Sequence, residues 1–259
     1  MSDDLVLLKV LIVSEAKPER DLIRRAASQA CVPIEIVEIT AAQEPGVACD
    51  ALASGTFDAV FLDSRMPKAG RQGVIDAARA SNGRPLVILV GAAELKTREV
   101  LTDGLVVNGV LAKPIELREA CEVIAHCVRA RLPNRALIVD DSSTVRSVIR
   151  KVLQASRYQL EAEEAGTTAA AIACAQQRRS NIIFLDCHMP DMDGFATLEV
   201  LTREHPDTKI VMMTGTRDMR FEDRARSEGA RDFLYKPFYP EDIDAVLNRL
   251  FGLMRARWN

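Results

Sequence analysis

Three carboxylates, a hydroxyl and an ammonium stand at the ends of four short apolar runs in the second half of the 259-residue chain. Asp140 and Asp141 follow Ala136-Leu137-Ile138-Val139, and Asp186 closes the run from Ile182. Thr214 closes the run from Lys209, and Lys236, followed by Pro237, closes the run from Arg231. Carboxylates brought together repel one another, and the simplest remedy is a hard divalent cation such as Mg2+, which prefers oxygen ligands and keeps several waters. A carboxylate can accept a phosphoryl group where a metal and a lysine neutralise the charge on its oxygens and a hydroxyl helps to hold them. Lys236 and Thr214 fit those two roles.

Such residues must be delivered to one place by the elements that carry them. Short apolar runs of this kind form fully buried parallel strands, here Ile182 to Asp186, Lys209 to Thr214 and Arg231 to Lys236, with Ala136 to Val139 before them. After the run Ala136 to Val139, Val145, Val148, Ile149, Val152 and Leu153 recur at helical spacing, with Ser142 or Ser143 placed to cap the start. Further helical patterns run from Thr167 to Arg178, Phe195 to His205, about Met219 to Ser227, and Asp242 to Met254. Strands alternating with amphipathic helices predict a parallel sheet covered on both faces. In such doubly wound sheets ligands bind outside the carboxyl ends of the strands, which is where all five residues lie.

The first half runs through the same signals in the same order. Val10-Leu11-Ile12-Val13 opens it, and strands are expected near Ala59 to Asp63, Leu86 to Val90 and Val110 to Lys113. A helical stretch from about Ile115 to Leu132 gives way through Pro133-Asn134-Arg135 to the next strand, with no Gly/Ser tether between the halves. The expected division is a domain over about 8–130 and another over about 134–255, held close together.

With these residues in order, the second half resembles the receiver domain of bacterial two-component response regulators, similar to the single-domain chemotaxis type. The likeness rests on Asp140-Asp141, on Phe184-Leu185-Asp186 with Met189-Pro190-Asp191-Met192-Asp193-Gly194, on Met213-Thr214-Gly215 and on Lys236-Pro237-Phe238. The resemblance implies two doubly wound (βα)5 flavodoxin-like α/β domains, each with a five-stranded parallel sheet. It further implies that Asp186 is the phosphoacceptor for a histidine kinase or a histidine phosphotransfer protein, and that Asp140, Asp141, Asp186 and the backbone carbonyl of His188 hold Mg2+. Thr214 and Phe233 would form the switch: Thr214 swings toward the phosphoryl oxygens and Phe233 turns inward behind it. His188 is otherwise read as solvent-facing, and His188 and Thr216 lie where they could tune dephosphorylation.

The first half is similar to the same family but has lost parts. Asp63 stands at the acceptor position, with Met66-Pro67 after it and Lys113-Pro114 at the lysine position; both acceptor-to-lysine separations are 50 positions. Ser14-Glu15 replaces the acidic pair, leaving Glu15 as its one acid. Val90 is read at the threonine position and Val110 at the aromatic one. The expectation is a degenerate receiver used for docking, dimerisation or regulation of its neighbour.

Composition narrows the classes. A net charge of −3, from 34 Lys+Arg against 37 Asp+Glu, gives no broad attraction for nucleic acid or anionic lipid. The acidic start Met1-Ser2-Asp3-Asp4 and the lack of a membrane-length apolar run predict a cytoplasmic protein without membrane contact. The six cysteines show no metal-binding spacing and read as small buried groups or free thiols. Only Arg255 to Asn259 follow the last helix expected, so the reading is signalling through a downstream protein target, with a homodimer also admitted, and with no DNA-binding output. The alternative is a phosphorelay intermediate or phosphate sink. An Asp-nucleophile phosphohydrolase is disfavoured because His188 stands where such enzymes place a second Asp, so no enzyme beyond self-catalysed aspartyl phosphorylation and dephosphorylation is expected.

Overall fold

The structure, a computed structural model, describes residues 7–40, 45–92, 107–190 and 194–254. The described residues fold as two units: the first runs to Arg131 and takes in residues 251–254, and the second is Leu132–Leu250. In the first, β1 (Leu8–Val13), α1 (Lys17–Ala27), β2 (Ile34–Ile39), α2 (Pro45–Ser54), β3 (Ala59–Asp63), α3 (Lys68–Ala80), β4 (Leu86–Ala92), β5 (Gly109–Lys113) and α4 (Leu117–Arg131) follow one another. In the second come β6 (Asn134–Val139), α5 (Ser143–Ala155), β7 (Leu160–Ala165), α6 (Thr168–Gln177) and β8 (Ile182–Asp186). They are followed by α7 (Gly194–Glu204), β9 (Lys209–Thr214), α8 (Met219–Ser227), β10 (Ala230–Tyr235) and α9 (Pro240–Leu250).

Each unit has one five-stranded sheet, ordered β2-β1-β3-β4-β5 and β7-β6-β8-β9-β10, and every pairing is parallel. These are the doubly wound flavodoxin-like sheets the alternation predicts. The central strands β3 and β8 are buried at every residue, as strands with helices on both faces must be. Leu11, Val13, Val60, Leu62, Val74 and Ile75 anchor the first core; Leu137, Val139, Ile183, Leu185, Leu198 and Met212 anchor the second.

Three local features depart from the sequence expectation. The edge strands β2 and β7 carry no apolar run: β7 reads Leu-Glu-Ala-Glu-Glu-Ala and is mostly half-exposed, because one edge of an open sheet faces solvent. The last helix stops at Leu250 rather than Met254. Gly252 takes φ +76°, a left-handed conformation that ends helices, and Lys209 Nζ donates to the Leu250 carbonyl at 2.5 Å. The third concerns strand register at the candidate site of the first unit, described below.

Candidate phosphoacceptor site

In the second unit the strand ends bring the expected side chains together. Asp140 and Asp186 are 0% and 3% exposed, Asp141 is exposed, and carboxylate oxygens of all three lie within 4.8 Å of one another. Lys236 Nζ bridges two of them, at 2.8 Å from Asp140 Oδ2 and 2.9 Å from Asp186 Oδ2. Burial alone would lower the Lys236 ammonium, but its hydrogen bonds to Asp140 and Asp186 outweigh that and hold it above its ordinary range, so it stays charged. One lysine against three carboxylates leaves the cluster at a net charge of −2. An all-oxygen donor set with uncompensated negative charge suits a hard divalent ion.

The backbone around the cluster is held by identifiable bonds. Asp140 Oδ1 accepts the Ser142 N–H at 2.9 Å, and the Ser142 hydroxyl accepts the Val145 N–H at 3.4 Å, capping α5. The His188 N–H donates to Asp186 Oδ1 at 3.3 Å and the His188 side chain is solvent-facing. Thr214 is fully buried and its hydroxyl accepts the Thr216 N–H at 3.1 Å, which leaves the hydroxyl proton available. Gly194 opens α7 against β8: a Cβ there would stand 2.7 Å from Cys187 Cα, so the helix can approach this closely only with glycine. Asp191, Met192 and Asp193 of the motif lie outside the described residues.

Phe233 is already inward, 4% exposed, with the Phe221 ring 6.5 Å away and the Arg226 guanidinium 5.2 Å from its ring centre. The expected inward turn therefore has no outward starting position in this structure. Tyr235 stacks on Phe233 at 6.3 Å and donates its hydroxyl to Glu222.

The first unit assembles a different set. Asp63, 5% exposed, receives Lys113 Nζ at 2.8 Å, as expected, but it also receives the guanidinium of Arg65, whose Nη2 lies 2.8 Å from Oδ2 and whose Nε lies 3.3 Å from each oxygen. Glu19, from the first turn of α1, lies 3.1 Å from Arg65 Nη2 and 2.9 Å from Lys113 Nζ. The Ser14 hydroxyl lies 3.0 Å from Glu19 Oε2 and 3.2 Å from Asp63 Oδ2. Burial would raise the Asp63 carboxyl, but the hydrogen bonds from Arg65 and Lys113 prevail and hold it well below the usual carboxylate range. Beside this group a cavity of about 280 Å³ is lined by Ser14, Glu15, Asp63 and Arg65 among others.

Val90 does not occupy the threonine position. Asp63 pairs with Val90 in the sheet as Asp186 pairs with Met213, and Ser64 N–H reaches the Val90 carbonyl as Cys187 N–H reaches that of Met213. The counterpart of Thr214 is therefore Gly91, which likewise has no hydroxyl. Counting alone shows the offset, since Val90 is 27 positions past Asp63 whereas Thr214 is 28 past Asp186. Val110 stands opposite Leu89 on β5, at the place Phe233 takes opposite Met212 on β10.

Sequence reasoning also missed a pair of brackets common to both units. Arg146 Nη1 donates to the carbonyls of Asp140 and Asp141 at 2.7 and 3.2 Å, while its Nε pairs with Glu164. Arg20 does the same for the Ser14 carbonyl at 2.7 Å, with Glu38 as its partner. Both Arg-to-Glu separations are 18 positions, a signal present in the sequence but carried by edge strands that its apolar pattern does not reveal.

A five-stranded parallel sheet that presents Asp186, a neighbouring acidic pair, a lysine and a buried threonine at its carboxyl edge is the arrangement that the likeness to receiver domains implies. The chain belongs to the response regulator receiver family of two-component signalling. The profile of the "Response regulator receiver domain" family matches residues 136–248, within the second unit. The two-component response regulator ORR11 of Oryza sativa subsp. japonica is 34% identical over 130 residues, covering 49% of this chain and 88% of that protein. Chemotaxis protein CheY of Thermotoga maritima is 28% identical over 45% of this chain and 96% of its own. The nitrogen assimilation regulatory protein NtrX of Azorhizobium caulinodans is 32% identical over 47% of this chain, but the match spans only 27% of that relative. Among solved structures, a probable two-component system response regulator/GGDEF domain protein covers 94% of this chain and 97% of its own, with TM-score 0.55 and 21% identity, a likeness of fold. Among the described residues no helix is long and apolar enough to cross a membrane.

Proposed function

We propose that the protein is a response regulator that takes a phosphoryl group onto Asp186 from a histidine kinase or a histidine phosphotransfer protein and signals through contacts with a downstream protein. The observation that supports this most is Lys236 held between Asp140 and Asp186 in a cluster still short of positive charge. In the transfer, an Asp186 oxygen forms the new bond to phosphorus as the phosphorus–nitrogen bond of the phosphohistidine breaks, and the electron pair leaves with the imidazole. Lys236 moves its ammonium onto the arriving phosphoryl oxygens, and the Thr214 hydroxyl donates its free proton to one of them. Asp140, Asp141, Asp186 and the His188 carbonyl would hold Mg2+, which supplies further charge neutralisation when bound. The chemistry ends on the protein's own aspartate, so no external substrate is turned over. The relay reading, in which Asp186 returns the group to a histidine phosphotransfer protein, uses the same site.

Intact-mass measurement after exposure to a small phosphodonor with Mg2+ tests the assignment. The wild type and Asp63→Asn are expected to gain one phosphoryl group, and Asp186→Asn none. Retention by Asp186→Asn with loss in Asp63→Asn would place the acceptor in the first unit instead.

A further inference from the structure

The acceptor position of the first unit does not fit a divalent metal, and the reason is built into its own sequence. Both units set carboxylates around one lysine: Asp140, Asp141 and Asp186 with Lys236 in the second, and Glu19 and Asp63 with Lys113 in the first. The first adds Arg65. Its guanidinium contacts both oxygens of Asp63 and one of Glu19, closing a ring in which Asp63, Arg65, Glu19 and Lys113 alternate in charge and cancel. Among the described residues, only the second unit brings three acidic groups close enough together to share an ion.

We propose that Arg65 is the resident cation of the first unit, occupying the face of Asp63 that a divalent ion would need and so closing this position to metal. Arg65 is the second residue past Asp63, the position His188 takes past Asp186, and its backbone N–H also donates to Asp63 Oδ1 at 3.0 Å. Local backbone and side chain thus converge on the same carboxylate. A planar guanidinium matches a carboxylate at two points, and as an ion that never deprotonates it stays in place at any physiological pH. A metal would have to displace it into the adjoining cavity and leave Glu19 with Lys113 alone. The first unit is thereby a receiver fold whose site is internally neutralised and set apart from the metal-dependent cycle of its neighbour. Removing Arg65 leaves Asp63, Glu19 and Lys113 at a net charge of −1, so that the position gains from a cation as the second cluster does.

The test is Mn2+ titration by calorimetry on the full chain carrying Asp140→Asn and Asp186→Asn, which removes the second cluster and so reads the first unit whether or not Asp186 is the acceptor. With Arg65 present, no Mn2+ site is expected in the millimolar range. Arg65→Ala in this background is expected to gain one equivalent, bound at least about tenfold more tightly, and that gain should vanish when Asp63→Asn is added. Arg65→Gln, which keeps the side chain's length without its charge, should behave like Arg65→Ala. A Mn2+ site that depends on Asp63 while Arg65 is intact would overturn the proposal. So would a failure of both Arg65 variants to gain one.

Discussion

Two buried aspartates at equivalent places in the two sheets are neutralised differently, and their response to acid should differ accordingly. Asp63 is held as a carboxylate by Arg65 and Lys113, so its ionised form is favoured by folding and its folded-state titration lies well below the usual carboxylate range. The unfolded chain therefore binds this proton first, and the stabilisation from Asp63 is complete above about pH 5 and is lost progressively as pH falls through the folded-state titration. At pH 7, Asp63→Asn is expected to lower the free energy of unfolding by about 2 kcal/mol, less than for a fully buried pair because Arg65 is mostly exposed. In urea denaturation the gap between the two proteins should begin to narrow as pH falls below about 5 and should go on narrowing below about pH 3; a gap that does not change with pH would remove Asp63 from the acid response. The residues of the second site were legible in the sequence because each closes an apolar run and its type states its chemistry. Arg65 and Glu19 were not, since their long side chains reach Asp63 only after the turn beyond β3 and the start of α1 are placed side by side.

At the scale of elements, the interior strands, the edge strands β5 and β10 and most helices followed from periodicity, while the edge strands β2 and β7 escaped it because they bury little. β7 carries three glutamates, and one of them, Glu164, fixes Arg146 beneath the acidic pair, so an element with no apolar signal still positions the site. The start of α7 is fixed by the opposite extreme, an approach that excludes even a methyl group. Gly194→Ala would place a Cβ 2.7–3.0 Å from the backbone of Cys187, the residue after Asp186. Backbone atoms cannot move aside as a flexible side chain would, so the strand end or the helix must shift, at a cost of about 1–3 kcal/mol. The expected outcome is a lower thermal midpoint together with slower phosphoryl incorporation at Asp186. A variant with unchanged midpoint and rate would show that α7 can withdraw from β8 without disturbing the acceptor.

At the scale of the whole chain, a repeated fold carries two unlike electrostatic designs. The second unit retains a cluster at net −2, which on the proposed reading gains from a divalent ion, and the first encloses a neutral ring, which on that reading does not. A ligand that binds only the folded form stabilises what it binds, by about 2.7 kcal/mol at a hundredfold excess over its Kd. Mg2+ should therefore protect one half of the protein selectively. Hydrogen exchange read by mass spectrometry, with and without saturating Mg2+, is expected to slow in peptides spanning Asp140 to Ser142 and Asp186 to Met189. It should stay unchanged in peptides spanning Ser14 to Ala16 and Asp63 to Met66. The reason is local, because the amides that point at the second cluster, those of Ser142 and His188, donate to carboxylates the ion would fix. Their counterpart at Arg65 already donates to an Asp63 held on both sides by cations. Equal protection of both sets of peptides would mean that the first unit takes metal despite Arg65, and that the two halves share one electrostatic design.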